Sequence, residues 1–393
     1  MIAPFEMLAP RRIVFGVGRA RDLASHVGPL LGSGSHGPIL VITGRDTARH
    51  ESVLAPLRSA HALLVHPAPH EPTVEDALAA TDLARTHGAR LVIGLGGGSA
   101  LDLAKATAAL ATNPGEPLDY LEVVGRGLPL SRDPLPFVAI PTTAGTGAEA
   151  TKNAVLTARG ADGRPVKVSL RSDRMLPALA LVDPELARAV PRAVTAATGL
   201  DALVQVIEPY VSHAATPLTD ALCRDAIPRG ARALPHLCRS LDDLEARSEM
   251  ALVSLYGGLA LANAKLGAVH GFAGPLGGLF AAPHGAICAR LLPYVIEATL
   301  AALRERAPGS PALARYADIA RWVTGDPEAR PEDAARWAHA QLAELAIPTL
   351  SAIGLRQKDV PLVVAQASRS SSMKGHPIPL DDAELIGILE RAL

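Results

Sequence analysis

The sequence predicts an α/β domain built on a parallel sheet, followed by an all-helical domain, with domains at residues 1–186 and 187–393. Three observations predict this. Short apolar runs alternate with helix-like segments up to about residue 184. From Pro191 onward, long Ala/Leu-rich stretches repeat at helical spacing with few β-branched runs. Between these, one apolar run delivers the chain into a glycine-rich turn that opens a helix.

The elements follow in order. Arg12-Ile13-Val14-Phe15-Gly16 is a short strand ending at glycine. Residues 38–44 are a buried apolar run of strand length, residues 60–66 the next strand, and residues 73–87 a helix with apolar positions three and four apart. Residues 90–95 and 136–141 are two further strands. Strands that alternate with helices imply a parallel sheet covered on both faces. In the second half, residues 197–212, 217–240, 244–266 and 330–346 read as helices. Residues 160–165 and 308–311 are ordinary loops, and no internal repeat is present. Two domains of this kind imply a ligand cleft between them.

Composition narrows the function. With 393 residues, 49% hydrophobic and 20% charged, the chain is globular and long enough for two cores. A net charge of -1 and the lack of a Lys/Arg run argue against a nucleic-acid partner. Cys223, Cys238 and Cys288 form no CxxC pair and suit a reducing compartment; Cys288 reads as a small buried thiol. Residues 1–12 lack the apolar core of a signal peptide, and no uninterrupted apolar run reaches about 18 residues. A cytoplasmic protein without a membrane span is therefore expected.

Gly94-Leu95-Gly96-Gly97-Gly98-Ser99-Ala100-Leu101-Asp102-Leu103-Ala104-Lys105 follows a strand and opens a helix. Glycines there let backbone approach a phosphate, while the helix N-terminus supplies N–H donors and a positive dipole end. Ser99 is the expected helix cap, with Asp102 three residues on as in a capping box. The turn departs from the Rossmann fingerprint, because Ser99 stands where the third glycine would be. A second loop, Pro141 through Thr151, carries Thr142, Thr143, Thr146 and Thr151 and suits the wall of a nicotinamide nucleotide site.

Two distant stretches look built for one divalent metal. Asp201 and Gln205, in Gly199-Leu200-Asp201-Ala202-Leu203-Val204-Gln205, share one helical face. His270 and His284 close the site from two other segments. One carboxylate, two imidazoles and the Gln205 amide oxygen would suit Fe(II) or Zn(II) and leave room for a substrate oxygen.

With GGGSxxDxxK, TTxGTGxE, GLDAL and the two histidine segments in this order, the chain resembles the iron-containing (group III) alcohol dehydrogenases, within the dehydroquinate synthase-like superfamily. The resemblance covers essentially the whole chain. It implies that Gly96, Gly97, Gly98, Ser99 and Asp102 hold the pyrophosphate side of NAD(P). It also implies that Thr142, Thr143, Thr146 and Thr151 line the nucleotide, that Lys167 reaches the ribose, and that Asp201, His270 and His284 bind the metal. The family suggests a homodimer or larger assembly.

Three departures stand out. The family usually has histidine where this chain has Gln205, a weaker and harder donor. Several members carry a second histidine where this chain has Gly274, so the usual side-chain proton donor is missing and a water chain would replace it. His213 and His376 read as surface residues, and Lys374 and His376 as part of a solvated loop. Gly44-Arg45 follows the second strand where NAD-preferring members place an acid, which leans the cofactor toward NADP, although Asp46 lies one residue on.

The resulting expectation is a metal-assisted NAD(P)-dependent oxidoreductase that interconverts a small-molecule alcohol and its aldehyde or ketone by direct hydride transfer. Asp201, His270 and His284 would be the catalytic set, and Gly267, Phe272 and Gly274 would line the substrate. Alternatives are a metal-independent keto-acid reductase similar to maleylacetate reductase, a lyase similar to dehydroquinate synthase, and a non-catalytic nucleotide-binding protein.

Overall fold

In the computed structural model, which describes residues 3–31, 37–160 and 163–393, the apolar runs of the first half form a six-stranded sheet. The order along the chain is β1 (Ile13–Phe15), α1 (Leu23–Leu31), β2 (Ile39–Thr43), α2 (Glu51–Ala60), β3 (Leu63–Pro67), α3 (Val74–Thr86) and β4 (Leu91–Gly96). Then come α4 (Gly98–Thr112), α5 (Pro117–Tyr120), β5 (Phe137–Pro141), β6 (Asn153–Arg159), β7 (Pro165–Arg171) and β8 (Leu179–Val182). The sheet order is β1-β8-β5-β4-β2-β3, and its pairs are parallel.

The strands are apolar throughout because both faces are covered. Leu40, Ile42, Val92 and Ala139 pack with Ala77, Ala80, Leu101 and Ala104 of α3 and α4. Their neighbours Ile39, Val41, Leu91, Ile93 and Val138 pack with Leu23, Val27, Val53 and Leu57 of α1 and α2. Helix α3 starts where its sequence indicates, with Thr73 and Asp76 forming a reciprocal capping box. The third strand starts at Leu63, later than expected, because α2 continues through Ala60.

The antiparallel hairpin of β6 and β7 was not anticipated. Its strands alternate buried and partly exposed residues, a weaker signal than the continuous apolar runs of the main sheet. Residues 161–162 of the expected loop at 160–165 lie outside the described residues.

The second half contains α6 (Arg192–Val211), α7 (Pro217–Arg239), α8 (Leu244–Ala264), α9 (Ala268–Phe280), α10 (His284–Arg306), α11 (Pro311–Thr324), α12 (Pro331–Glu344), α13 (Val360–Ala367) and α14 (Asp382–Ala392). Helices α9 and α10 carry the two histidine segments, although Pro275 and Pro293 lie within them. The expected helix at 244–266 stops at Ala264, because Lys265 takes a φ of 61° and the chain turns by 101° into α9. By length and composition α10 could cross a membrane, yet 72% of its apolar window is buried in the fold, as in a core helix.

The chain divides into two compact units. One comprises Leu8–Thr143 with Gly147–Ala189; the other comprises Val190–Leu393 with Ala144–Thr146 and residues 3–7.

The glycine turn is held by close packing of strand on helix. A methyl group on Gly96 would lie 2.7 Å from the Ala100 side chain and 3.3 Å from the Gly44 nitrogen. Gly96→Ala is therefore expected to cost about 1–3 kcal/mol through overpacking. The measurement is the urea unfolding midpoint against wild type, and an unchanged midpoint would show that the turn relaxes freely.

Candidate metal centre and nucleotide site

Helix α6 places Asp201, Gln205 and Glu208 along one buried face, at spacings of four and three residues. Helix α9 brings His270 into its first turn, and α10 begins at His284 with Cys288 one turn later. Together Asp201, His270, His284 and Cys288 present ligand atoms that all lie within 4.8 Å of one another. His270 Nε2 is 3.4 Å and His284 Nε2 3.9 Å from Asp201 Oδ1, and Cys288 Sγ is 3.6 Å from His284 Nε2.

Two of these atoms, Asp201 Oδ1 and His270 Nε2, are buried without a hydrogen-bond partner. Leaving such groups unsatisfied costs roughly 1–3 kcal/mol each, more where one is charged. A divalent cation would satisfy both, so the donor set fits a metal. Burial alone would push the Asp201 carboxyl up, but the neighbouring His284 and His270 outweigh it and hold the group below the usual carboxylate range. The carboxylate is thus ionised and available.

Glu208 organises this centre. Its Oε1 accepts the Val269 N–H at 2.7 Å, and its Oε2 accepts from His270 Nδ1 at 2.7 Å. Burial raises the Glu208 carboxyl, but the bond and charge of His270 outweigh that and keep it ionised. With Nδ1–H donated to Glu208, Nε2 is the nitrogen turned toward Asp201. Burial alone would lower the His270 pKa, but Cys288, Asp201 and Glu208 raise it well above the ordinary value, so a cation would bind in place of the Nε2 proton. Gly267 allows the approach: a side chain there would meet Glu208 Oε1 and His376 Nδ1, each at 2.8 Å.

In the sheet-based unit, the glycine turn leaves β4 and the threonine-rich loop leaves β5, its parallel neighbour. Thr142 N–H donates to the Gly96 carbonyl at 2.9 Å, joining the two loops at their start. The chain also reverses its direction across the sheet between β2 and β4, which puts the ends of these strands at a topological switch point, where open α/β sheets bind ligands.

Ser99 does not cap α4. Gly97 takes the cap position, because the close packing of Gly96 on Ala100 starts the helix directly after the strand. Gly98, Ser99 and Ala100 thus fall in the first turn, whose N–H groups have no partner within the helix. Asp102 accepts the Val155 N–H at 3.2 Å, and burial raises its carboxyl to about 6.

Lys105 is buried and its ammonium ties the helix to the second loop. It donates to the Ala148 and Thr151 carbonyls and to Thr151 Oγ1, each at 2.8 Å. Burial pulls its pKa down to about 8. The Thr151 hydroxyl is thereby engaged inside the fold. Lys167 pairs with Glu71 at 2.6 Å, and Arg45 is exposed while Asp46 accepts the Ala48 N–H.

Residues 10–184 match the family model described as iron-containing alcohol dehydrogenase, and residues 195–393 match the C-terminal model of the Fe-containing alcohol dehydrogenase family. The chain belongs to the iron-containing alcohol dehydrogenase family. It is similar to long-chain-alcohol dehydrogenase 1 of Geobacillus thermodenitrificans, with 37% identity over 329 residues, 82% of this chain and 80% of that protein. Similarity to 1,3-propanediol dehydrogenase of Klebsiella pneumoniae is 36% over 338 residues, 84% of this chain and 81% of that protein. The crystal structure of a 1,3-propanediol oxidoreductase matches with a TM-score of 0.88 at 30% identity, covering 100% of both chains. An alcohol dehydrogenase from Oenococcus oeni gives 0.88 at 28% identity, covering 99% of this chain and 100% of that one. The chain is accordingly an enzyme of the oxidoreductase class, with the dehydroquinate synthase-like architecture that its motifs implied.

Against the family pattern, Gln205 donates its amide N–H to the Thr146 carbonyl at 2.6 Å. A methyl group added to Gly274 would meet nothing within 4 Å. Phe272, expected to line the substrate, is fully buried in the helical core. Glu208 escaped the sequence reading, although its place seven residues after Asp201 in an apolar helix was the available signal. Cys288, four residues after His284, was set aside as a core thiol.

His376 is buried, contrary to the surface position expected from its loop. Its Nδ1 accepts the Ala268 N–H at 3.2 Å. The Thr299 hydroxyl donates to the Val295 carbonyl, leaving its oxygen to accept from His376 Nε2 at 3.0 Å. The ring is thus neutral and fully bonded. Burial pulls its pKa down to about 4 from an ordinary 6.5, against the opposing pull of Glu208 and Glu384. Between these values the unfolded chain binds the proton and the folded chain does not. The His376 contribution is therefore complete above pH 6.5 and lost as pH falls toward about 4. Urea midpoints measured across this range should decline by the equivalent of up to about 3 kcal/mol more in wild type than in His376→Gln. Parallel pH profiles would show that the residue does not titrate in this way.

Proposed function

We propose that this enzyme is an NAD(P)-dependent, metal-assisted dehydrogenase that interconverts a small-molecule alcohol and its aldehyde or ketone in the cytoplasm, as a homodimer or larger homo-oligomer. The observation that carries the metal reading is the pair of buried, unpartnered atoms, Asp201 Oδ1 and His270 Nε2, facing each other at 3.4 Å with His284 beside them. Family membership supports the alcohol–carbonyl chemistry, and the names of relatives that act on alcohols and 1,3-propanediol support the substrate class.

Each residue's task follows from its surroundings. Asp201, His270 and His284 hold the cation, Fe(II) or Zn(II), and Glu208 keeps His270 in the tautomer that turns Nε2 toward it. The cation supplies Lewis-acid stabilisation of charge on the substrate oxygen, and the nicotinamide supplies hydride exchange. The first turn of α4, at Gly98 and Ser99, offers its N–H groups to the pyrophosphate. Gly96 and Gly97 admit the backbone's close approach, and Thr142 and Thr143 form the adjoining wall. Lys105 acts behind that wall, through the Ala148 and Thr151 carbonyls. The exposed Arg45 and the engaged Asp46 favour a 2′-phosphate, hence NADP over NAD. Gln205 anchors Thr146, and Gly274 offers no proton donor, which leaves water to carry the proton.

Asp201→Ala and His270→Ala should each lower turnover, followed by NAD(P)H absorbance over an alcohol and aldehyde panel, by at least about a hundredfold. Nucleotide binding, read by calorimetry, should stay near wild type, and bound metal, read by elemental analysis, should fall sharply. Near wild-type turnover in both variants would overturn the metal mechanism.

A further inference from the structure

The donor set contains a group that neither the family pattern nor the reading above assigns. We propose that the Cys288 thiolate is the fourth protein ligand of the cation, in place of the family histidine whose position Gln205 occupies here. The proposal rests on the metal reading of Asp201, His270 and His284.

Four observations carry it. Cys288 lies one helical turn after His284 on α10, so both side chains leave the same face. Its sulfur is 3.6 Å from His284 Nε2, within a set whose four atoms all lie inside 4.8 Å. Bond lengths of about 2.0–2.3 Å in a tetrahedral zinc site put ligand atoms roughly 3.3–3.8 Å apart. The separations of 3.4, 3.6 and 3.9 Å seen here are those of a set that needs only small adjustments to close on an ion. Gln205, finally, has its amide nitrogen committed to Thr146, and it packs so closely on Gly257 that a methyl there would lie 3.3 Å from that nitrogen.

The Asp201 carboxylate and the Cys288 thiolate would match the charge of a divalent ion, and the Glu208 carboxylate behind His270 is stabilised separately by its bonds from the Val269 N–H and His270 Nδ1. On binding, the thiol loses its proton to solvent as the sulfur–metal bond forms, so no oxidant or reductant is involved. Cys223 and Cys238 are also buried and free, but neither belongs to the cluster; they are the ordinary apolar use of a thiol. A soft sulfur donor shifts preference toward Zn(II) and other thiophilic ions and away from Mn(II). His284, with a side chain 31% exposed against 5% for His270 and 1% for Asp201, marks the open edge.

The test is a Co(II) titration of the full-length protein after chelator treatment, followed by absorption spectroscopy. Wild type should develop visible d–d bands together with a near-ultraviolet sulfur-to-cobalt charge-transfer band. Cys288→Ser and Cys288→Ala should keep the d–d bands and lose the charge-transfer band. Their Zn(II) affinity should drop about tenfold or more, with a smaller change for Mn(II). Because the wild-type band is read without any substitution, poor folding of a variant does not remove the test. Bands that His270→Ala abolishes, with no charge-transfer component in wild type, would keep the metal centre and overturn the ligand role of Cys288. A charge-transfer band surviving in both Cys288 variants would also overturn it, since another thiol would be its source. Failure to take up either Co(II) or Zn(II) would overturn the metal reading and this proposal together.

Discussion

Glu208 is a carboxylate sealed in a helical core, and its two oxygens are divided between the Val269 N–H and His270 Nδ1. That division fixes the N-terminus of α9 and the orientation of the imidazole in one interaction. An uncompensated buried carboxylate is costly, so the fold must supply donors at both oxygens. They come from a helix N-terminus, where N–H groups lack intrahelical partners, and from a histidine in the same turn. The next N–H back, of Ala268, is taken by neutral His376. The result is that the His270 face turned toward Asp201, the candidate metal site, is held from behind by groups that do not themselves face Asp201.

The sheet-based unit solves its problem differently. Its loops are held by packing and one buried cation. Gly96 lets α4 rise directly from β4, and Lys105, inside that helix, gathers carbonyls of the loop after β5. The first turn of α4 has no side-chain cap. A helix start left uncapped at the switch point of a parallel sheet has N–H donors without helical partners and a positive dipole end to offer an anion, which supports the nucleotide site proposed there. Ser99, expected as the cap, lies instead within the first turn.

The departures from the family pattern form a consistent set. Gln205 occupies a ligand position and bonds to Thr146, in a segment that packs with the helical unit. Cys288 places its sulfur within the cluster of Asp201, His270 and His284. With Cys288 as a ligand, as proposed, a thiol on α10 would stand in for the imidazole that the family usually carries at position 205, and the donor set would be softer.

Much of this was legible in the sequence. The continuous apolar runs of β2, β4 and β5 read as strands buried on both faces because they are too short for helices and end at glycine or proline. The glycine and threonine motifs were visible because backbone approach to a phosphate permits few residue types. Asp201, His270 and His284 were visible because few side chains bind metals. The hairpin of β6 and β7, the bend at Lys265, and the burial of Glu208 and His376 were not. These depend on which surfaces meet in three dimensions: a histidine in a polar loop looks solvated until α9 and α10 close over it. The sequence by itself determined the element types and the chemical inventory, since periodicity and residue chemistry are local. Only the tertiary structure decided which of these groups face one another in the core, with Asp201 on one side of His270, Glu208 on the other, and Cys288 beside His284, because such contacts depend on how distant helices pack.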